Sequence, residues 1–224
     1  ANISLIPKTK IPDNIQSDIR PISLTPVLSK ILETYICKWL WNEIKDKLEI
    51  NQYGGIPGLS TLDALTGLVQ RWQAAIHMHK SSRVLLLDFK KAFDLVDHNI
   101  LIEKLKTLNV SNILLRWIGS FLDKRHVRVK LQQDLSDWLK IKSSVPQGST
   151  LGPILFVVMI NDLQVSECDM AKYMDDASAT ETVDVGEESV MNSTAEEIDT
   201  SWSDCNDMLI NTIKTKEMTI TCDK

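Results

Sequence analysis

The chain has 224 residues, 43% of them hydrophobic, and a formal net charge of -5, which excludes an intrinsically disordered chain and argues against a uniformly basic nucleic-acid-binding protein. Its longest apolar run, residues 153–160, is far shorter than the roughly 20 residues of a membrane-spanning helix, so we expect no membrane partner. The 4 cysteines include no CxxC pair, and they predict a reducing, intracellular setting without structural zinc or disulfides.

Charge is distributed unevenly along the chain. Residues 71–130 carry 12 basic and 5 acidic groups, whereas residues 131–224 carry 6 basic and 18 acidic groups. A basic band of this kind allows a polyanion to bind locally while the rest of the surface stays acidic. Solvated helix faces explain the same distribution equally well, so both interpretations stay open.

The first third of the sequence predicts two strands and two helices. The segments "SLIPK" and "RPISL" are extended, the second because the residue before a proline disfavours the helical region. Thr25 is predicted to cap a helix whose first position is Pro26. Its apolar residues recur in pairs every four residues and predict a buried stripe. These pairs are Val27/Leu28, Ile31/Leu32, Tyr35/Ile36 and Trp39/Leu40. After the loop "NQYGGIPG", Ser60 is predicted to begin a second helix that runs to about His79.

The middle of the chain alternates between strand and helix signals. "VLLL" predicts a short apolar strand of the kind that is buried on both faces, with Asp88 at its end. Helices are predicted after Asn99 and after Ser111, and "HVRVKL" with "WLKIKS" predicts a hairpin. "VPQGST" turns the chain into a further helix that Pro153 opens.

The last third predicts a hairpin, a helix and a strand. "MAKYMDDASATETV" predicts strand, turn and strand, with the two acidic residues at the tip. A helix is predicted over Glu196–Ile210, with Ile198, Trp202 and Leu209 facing inward, and "EMTITC" is predicted to be the final strand. Because helices and hairpins are mixed without a regular βαβ repeat, the predicted fold class is α+β with a largely antiparallel sheet.

The adjacent carboxylates Asp175 and Asp176 in "YMDD" are costly for a folded chain. Like charges in contact repel, and each resists ionisation unless a cation lies nearby. A bound divalent metal is a common remedy. A simple β-turn is the alternative, because aspartate is a favoured turn residue.

Asp88 supplies a third carboxylate at the end of a packed strand, which holds a side chain more rigidly than a loop does. Hard oxygen donors that converge in this way suit magnesium. If a strand continues through both Asp175 and Asp176, only one of them can ligate strongly, because adjacent strand residues point to opposite faces. We prefer Asp175. Asp94 and Asp97 are weaker candidates, since they lie near a helix start, where aspartate serves as a cap.

Several segments together resemble the successive motifs of reverse transcriptases, and most closely those of non-LTR (LINE-type) retrotransposons. Three of them, "VLLLDFKKAFDLVDH", "VPQGSTLGPILF" and "KYMDD", come in the order and spacing of the family. Neighbouring motifs of that branch are resembled by "LIPK" with "RPISL", by "NQYG" with "GLSTLDAL", and by "NDMLINTIKTKEM". Each motif alone is a weak signal, whereas six in order, covering nearly the whole chain, are highly specific.

The resemblance implies catalytic roles for the matching residues. Asp88 and Asp175 are implied to be magnesium ligands, and Asp176 is implied to be the supporting acid. Lys214 matches the lysine of the motif after the catalytic turn, a proton donor to pyrophosphate. Lys216 lies close by as an alternative.

Five further matches are implied to contact substrate. Phe93 matches the bulky residue that excludes the ribose 2′-hydroxyl, although a core aromatic would explain it too. Gln147 and Gly148 match the motif that lines the incoming nucleotide and template, although Pro-Gln-Gly is also a good turn. Lys8 and Arg20 match basic residues that hold the triphosphate, a task that suits the guanidinium fork. Ordinary surface solvation is the alternative for both.

The implied protein is an RNA-directed DNA polymerase in which a primer 3′-hydroxyl attacks the α-phosphate of a dNTP on an RNA template. The resemblance implies two Mg²⁺ ions, with Mn²⁺ as a substitute, and a setting in the cytoplasm and nucleus. It also implies a fingers-and-palm fragment without a thumb, about 1–80 being mainly fingers and about 81–224 mainly palm. One alternative is a decayed or co-opted domain that binds nucleic acid or a partner without catalysis. A palm-fold nucleotide cyclase is disfavoured because its "GGDEF" signature does not occur. The oligomeric state stays open.

Overall fold

Two compact units form along the chain, and each is assembled from two separated stretches. The computed structural model describes residues 1–14, 18–184 and 186–221. The first unit comprises Ala1–Lys47 and Val96–Val158, and the second comprises Leu48–Leu95 and Met159–Lys224. The predicted division at about residue 80 coincides with no boundary between these units, and the assignment of fingers and palm stays a prediction.

The described elements, numbered in chain order, follow the predicted alternation of strands and helices. The strands are β1 (Asn2–Pro7), β2 (Ile19–Leu24), β3 (Ser81–Asp88), β4 (His126–Leu131), β5 (Asp134–Leu135), β6 (Leu139–Lys140), β7 (Asp169–Tyr173), β8 (Asp176–Val183) and β9 (Lys216–Ile220). The helices are α1 (Val27–Ile44), α2 (Thr61–His77), α3 (Ala92–Leu95), α4 (His98–Thr107), α5 (Asn112–Leu122), α6 (Gly152–Met159), α7 (Met191–Glu197) and α8 (Asp204–Asn206).

One sheet belongs to the first unit. Its strand order is β2-β1-β4-β5, and β6 also pairs with β4. β1 pairs antiparallel with β2 and parallel with β4, while β5 and β6 pair antiparallel with β4. The predicted hairpin is therefore present, but its second arm is divided into two short strands.

The second sheet belongs to the second unit and has the order β7-β8-β3-β9, with every pair antiparallel. The prediction of an α+β fold with largely antiparallel pairing is confirmed, since β1 with β4 is the one parallel pair among the described strands of the two sheets. β3 is central, and Val84, Leu85 and Leu87 on it are buried, as expected for a strand with two neighbours. Leu86 is 42% exposed, so the prediction that "VLLL" is buried throughout is wrong at this residue, where the sheet face is uncovered.

The predicted burial of the apolar stripe on α1 is largely wrong. Six of its eight residues are between 43% and 80% exposed. We call these six the α1 apolar stripe: Val27, Leu28, Ile31, Leu32, Tyr35 and Trp39. The buried face is formed instead by Glu33, Ile36, Leu40 and Ile44. The physical reason lies in Glu33, whose buried Oε2 accepts hydrogen bonds from the backbone N–H groups of Thr150 (2.7 Å) and Leu151 (3.2 Å) just before α6. These donors at a helix start satisfy the carboxylate and turn that face of α1 inward.

Helix boundaries were predicted with mixed success. Ser60 precedes α2, and its backbone N–H and hydroxyl both donate to the Asp63 carboxylate (2.8 and 2.6 Å), as expected for a cap. Thr25 does not cap α1, because Pro26 occupies the cap position without a side-chain hydrogen bond.

The predicted last helix lies earlier in the chain than expected. Helical structure begins at Met191, passes through a π-helical turn over Ile198–Ser203 and ends at Asn206. Asp207 follows in a left-handed conformation (φ 51°), which stops the helix. Leu209 therefore lies beyond the helix and is 55% exposed, contrary to its predicted inward orientation.

Within the described part of the chain, no helix combines the length and the apolar character needed to cross a bilayer. Cys37, Cys168 and Cys205 are free, and burial, followed by the nearby charge of Glu33, raises the pKa of the Cys37 thiol to about 11. That thiol therefore stays protonated at neutral pH, which makes it a poor nucleophile and metal ligand.

Candidate active site

The carboxylates of the second unit meet at one end of its sheet. Asp88 is the last residue of β3, and it lies directly opposite Asp176, the first residue of β8. Residues directly opposite on antiparallel strands have side chains on the same face, roughly 5 Å apart at Cβ. Asp175 lies in the turn between β7 and β8, after Met174 in a left-handed conformation (φ 58°). The strand does not run through Asp175, so the alternation that predicted opposite faces for the two adjacent acids does not apply.

The proximity of these acids shows in the protonation of Asp176. Its pKa is raised, first by partial burial and then by the negative charges of Asp175 and Asp88, while Lys214 acts in the opposite direction. The residue as a whole is largely exposed, so solvent screens this repulsion. The three carboxylates therefore form one electrostatically linked group.

Asp88 is held by a segment that lies more than 120 residues later in the chain. Its Oδ2 accepts a hydrogen bond from Asn211 Nδ2 (2.7 Å) and lies 3.6 Å from Lys214 Nζ. The backbone N–H of Asn211 donates to the Asp88 carbonyl (2.7 Å), and the Asp88 N–H donates to Thr215 Oγ1 (3.4 Å). Lys216 lies in β9 opposite Leu86. Of the two predicted lysines, the structure places Lys214 beside the Asp88 carboxylate.

Sequence reasoning missed Asn211. The residue belongs to "NDMLINTIKTKEM", the same motif that indicated Lys214, and it precedes that lysine by three residues. An amide at this point orients the Asp88 carboxylate, because it can donate to the side chain while its backbone pairs with the end of β3. The available signal was a polar residue directly after the apolar run Met208–Ile210, within a motif that resembles one of the family's.

The hairpin is supported from the side by the segment that follows α1. Tyr53 N–H donates to the Lys172 carbonyl (2.8 Å), and Lys172 N–H donates to the Asn51 carbonyl (2.9 Å), so residues 51–53 act as a short neighbour of β7. The Lys172 side chain is only 1% exposed. Its Nζ donates to three backbone carbonyls, those of Ile160, Asn161 and Leu163, at 2.9–3.2 Å. A buried ammonium requires such acceptors, and they fix the root of the hairpin whose tip carries Asp175.

Gly54 → Ala is expected to displace the tip of the hairpin. A Cβ at position 54 would lie 2.7 Å from the Tyr173 carbonyl carbon, closer than non-bonded backbone atoms tolerate. Either the turn between β7 and β8 or the segment that contains Gly54 must shift, at a cost of about 1–3 kcal/mol in the free energy of unfolding. We expect a lower urea midpoint of unfolding.

Gly119 → Ala provides the matched control, because a Cβ there would meet nothing within 4 Å. Within α5 that substitution should stabilise the protein by about 0.5–1 kcal/mol. A Gly54 → Ala protein that unfolds at the same urea concentration as the unsubstituted chain would show that the close approach carries no energetic consequence.

The donor set suits a divalent metal in its chemistry. Among the described residues, no group of three or more His, Cys, Asp or Glu side chains is arranged to hold a metal ion. Magnesium, however, is commonly held by only one or two carboxylates, with substrate phosphates and water completing its coordination. The raised pKa of Asp176, caused in part by Asp175 and Asp88, indicates excess negative charge of the kind that a cation relieves. The residues present therefore fit such an ion.

Asp176 → Asn is expected to stabilise the metal-free protein at neutral pH. The pKa of Asp176 is raised in the folded state, so ionisation of this side chain destabilises the fold. Its contribution to the free energy of unfolding is fully present below the ordinary pKa and is lost as pH rises through the raised pKa. An asparagine avoids that loss. The melting temperature in EDTA should therefore exceed that of the unsubstituted protein at pH 7–8, and the difference should shrink toward pH 4.

Asp169 → Asn serves as the control for this pH dependence, since Asp169 is an exposed acid on β7 that pairs with Arg71 at 3.8 Å. A difference in melting temperature for Asp176 → Asn that stays constant between pH 4 and pH 8 would contradict the assigned repulsion.

The remaining acids near α3 take structural positions. Asp97 caps α4, with its side chain accepting from the backbone N–H groups of Asn99 (2.7 Å) and Ile100 (3.1 Å). Its predicted role as a cap is confirmed. Asp94 lies within α3 and is half-buried. Phe93, on the same short helix, is also half-buried rather than part of the core.

The other predicted substrate contacts lie in the first unit. Ser23 N–H on β2 donates to the Gln147 carbonyl (2.8 Å), which aligns the segment containing Gln147 with the edge of β2. Gly148 has φ 98°, and a Cβ there would lie 2.9 Å from the Ser23 carbonyl oxygen, so only glycine fits. Arg20 is exposed on β2, and Lys8 N–H closes the turn between β1 and β2 by donating to the Asp18 carbonyl (2.7 Å).

Comparison with known proteins identifies the family. A family model described as reverse transcriptase (RNA-dependent DNA polymerase) matches residues 6–222. Three Drosophila melanogaster proteins are similar in sequence. A probable RNA-directed DNA polymerase from transposon BS is 32% identical over 79% of this chain and 19% of its own length. One from transposon X-element is 32% identical over 72% of this chain and 18% of its own length. The RNA-directed DNA polymerase from mobile element jockey is 33% identical over 80% of this chain and 20% of its own length.

The fold resembles solved telomerase structures. One from Candida tropicalis, in complex with a fragment of telomeric RNA, superposes with a TM-score of 0.70 at 14% identity, covering 97% of this chain and 41% of that one. One from Candida albicans superposes with a TM-score of 0.68 at 14% identity, covering 100% of this chain and 42% of that one. The chain spans about a fifth of the length of the curated relatives named above. The resemblance to the reverse transcriptases of non-LTR retrotransposons is confirmed, and the chain belongs to the reverse transcriptase (RNA-dependent DNA polymerase) family.

Proposed function

We propose that this domain is an RNA-directed DNA polymerase that extends a primer 3′-hydroxyl with dNTPs on an RNA template. The observation that carries the proposal is the pairing of Asp88 with Asp176 across β3 and β8, with Asp175 in the adjoining turn and Lys214 Nζ 3.6 Å from Asp88. In a member of this family, carboxylates and a lysine at one end of an antiparallel sheet suit phosphoryl transfer.

The reaction forms one bond and breaks another. The primer 3′-oxygen attacks the α-phosphorus of the dNTP, the bond from that phosphorus to the pyrophosphate oxygen breaks, and the 3′-hydroxyl proton is released. Asp88 and Asp175 would hold Mg²⁺, or Mn²⁺ in its place, which when bound stabilises the charge on the transferring phosphoryl group. Asp176 maintains the negative field around them, and Asn211 orients the Asp88 carboxylate.

Lys214 is suited to the leaving group. Its ammonium lies beside Asp88, and an ammonium can donate a proton to the pyrophosphate oxygen as the bond breaks. The pairing with Asp88 positions the ammonium beside the carboxylates before substrate arrives. We assign it the role of general acid.

Residues of the first unit are proposed to bind the substrates. Arg20 and Lys8 would contact the triphosphate, and Gln147 and Gly148 would line the nucleotide and template. The exposure of Gly148 supports this assignment, because an exposed glycine backbone lets a ligand approach closely. Phe93 would exclude the 2′-hydroxyl. We place the activity in the cytoplasm and nucleus.

Primer extension on a heteropolymeric RNA template tests the proposal. The purified 224-residue chain is incubated at low salt with a DNA primer, all four dNTPs and Mg²⁺, and the product is sequenced. The expected product is complementary to the RNA, and omission of one dNTP should stop synthesis before its template position. Parallel reactions with Mn²⁺ widen the conditions for weak activity. Binding of primer and template without extension under either metal would favour a nucleic-acid-binding domain without catalysis.

A further inference from the structure

One face of the first unit's sheet is basic. Opposite residues on paired strands share a face, so the register of β1 and β4 places Arg128 beside Asn2 and Lys130 beside Ser4. The same relation places Arg20 opposite Ile6 on β1, and His126 opposite Lys140. Alternation along β4 puts His126, Arg128 and Lys130 on one side. Four cationic side chains and a histidine thus share a face whose paired strand residues include no carboxylate.

The guanidinium of Arg128 is fixed within this face. Its Nε donates to Asn2 Oδ1 at 2.9 Å, and its Cζ lies 4.5 Å from the centroid of the Trp138 ring. Trp138 is 52% exposed and lies between β5 and β6. An arginine stacked on one side of a half-exposed indole orients the ring while leaving aromatic surface open to a ligand.

We infer that this basic face is a binding platform for a single-stranded stretch of the RNA template, with Trp138 stacking on an unpaired base and Arg128, Lys130 and Lys140 contacting phosphates. Single-stranded nucleic acid is recognised by this combination of an aromatic side chain and cationic groups along the backbone path. The identification of the strand as template rests on the proposed function. Neither the family match nor the motifs assign a role to Trp138.

The position of the platform agrees with that of the other proposed contacts in the same unit. Gln147 and Gly148 align with the outer edge of β2 through Ser23, and β1 separates β2 from β4. With strands spaced about 4.8 Å apart, the Trp138 side of the sheet lies roughly 10 Å from β2. A strand crossing this face would therefore pass from the proposed nucleotide-binding edge to the indole.

Base stacking distinguishes single strands from duplexes, because paired bases cannot be splayed onto a side chain. If a contact involves phosphates alone, its loss should weaken the binding of single-stranded and duplex RNA equally. The indole is expected to contribute to the binding of single strands only, whereas the lysines are expected to contribute to the binding of both forms.

Binding of a fluorescent single-stranded RNA dodecamer, followed by anisotropy between 50 and 200 mM salt without dNTPs, tests this inference. Trp138 → Ala should weaken binding by about 5- to 100-fold at every salt concentration, and Trp138 → Phe should restore most of the affinity. A duplex of the same length should lose much less. Lys130 → Gln should reduce the slope of log affinity against log salt by about 0.7, the value for one phosphate contact on a single strand.

Trp39 → Ala and Lys106 → Gln are the matched controls. Trp39 is 43% exposed on α1 of the same unit, and Lys106 is exposed on α4, where it pairs with Glu103 at 2.7 Å. Both should bind the dodecamer as the unsubstituted chain does. Equal binding by Trp138 → Ala, or an equal loss for single strand and duplex, would overturn the platform while leaving the polymerase proposal intact. A chain that binds through Trp138 but extends no primer would overturn the polymerase proposal, and with it the identification of the strand as template, while leaving the single-strand platform intact.

Discussion

Asp175 → Asn is expected to lower the rate of primer extension by at least about 100-fold while leaving the fold intact. The residue is exposed and lies in the turn between β7 and β8, so the substitution removes no buried packing. A neutral amide binds a divalent cation far more weakly than a carboxylate does. Its charge also contributes to the raised pKa of Asp176, so neutralising it should bring that pKa closer to its ordinary value. The melting temperature without metal should be unchanged or higher.

Single-turnover extension with a pre-bound primer and template separates this loss from a loss of nucleic-acid binding. Asp169 → Asn is the matched control, because it removes an exposed carboxylate from the other end of the same hairpin and should extend primers at the unsubstituted rate. If Asp175 → Asn extends primers within about tenfold of that rate, the assignment of Asp175 as a ligand of the catalytic metal is wrong. The same measurement on Asp88 → Asn tests the second proposed ligand.

Phe93 → Val is expected to admit ribonucleotides. Phe93 lies on the short helix α3, five residues beyond Asp88, and it is half-buried. Its neighbour Ala92 is 5% exposed and anchors the helix. Removing the ring opens room for a 2′-hydroxyl without altering the carboxylates. The ratio of dNTP to NTP incorporation, measured as kcat/KM for each, should fall by about 10- to 100-fold.

The competing explanation is a purely structural role for Phe93. Loss of a large aromatic side chain from a core costs about 3–5 kcal/mol on truncation, and a half-buried ring should cost less. Phe121 → Val is a useful comparison, because Phe121 is also half-buried and stacks on Trp117 with ring centroids 5.5 Å apart. Both substitutions should lower stability, but only Phe93 → Val should change the sugar preference. Lower stability with unchanged sugar preference would assign Phe93 to packing alone.

Features with a local physical cause could be predicted from the sequence. The hairpin that carries Asp175 reverses at Met174 and Asp175 between two strands that directly adjoin this turn. Ser60 with Asp63 forms a cap within four residues. Asp88 follows an apolar strand directly. In each case the signal and the structure that it specifies lie within a few residues of each other, so tertiary packing had little opportunity to override it.

Features that depend on distant parts of the chain could not be predicted in this way. The hydrogen bonds that hold Asp88 come from Asn211 and Thr215. No local sequence pattern predicts which strand end these two residues contact. The burial of α1 depends on Glu33, because a carboxylate would ordinarily be placed on the solvent side. Its partners at Thr150 and Leu151 reverse that expectation. Lys214 could be identified only because a recognised motif carried the long-range information.

The α1 apolar stripe has a practical consequence for handling the isolated domain. Sodium chloride weakens contacts with phosphates, so it should release contaminating nucleic acid from the basic face during purification. Sulfate strengthens the association of exposed apolar surface because it is excluded from protein surfaces. Six large apolar side chains along one helix form the kind of patch that promotes self-association under such conditions. Chloride is therefore expected to keep the protein dispersed, whereas ammonium sulfate is expected to bring chains together through α1.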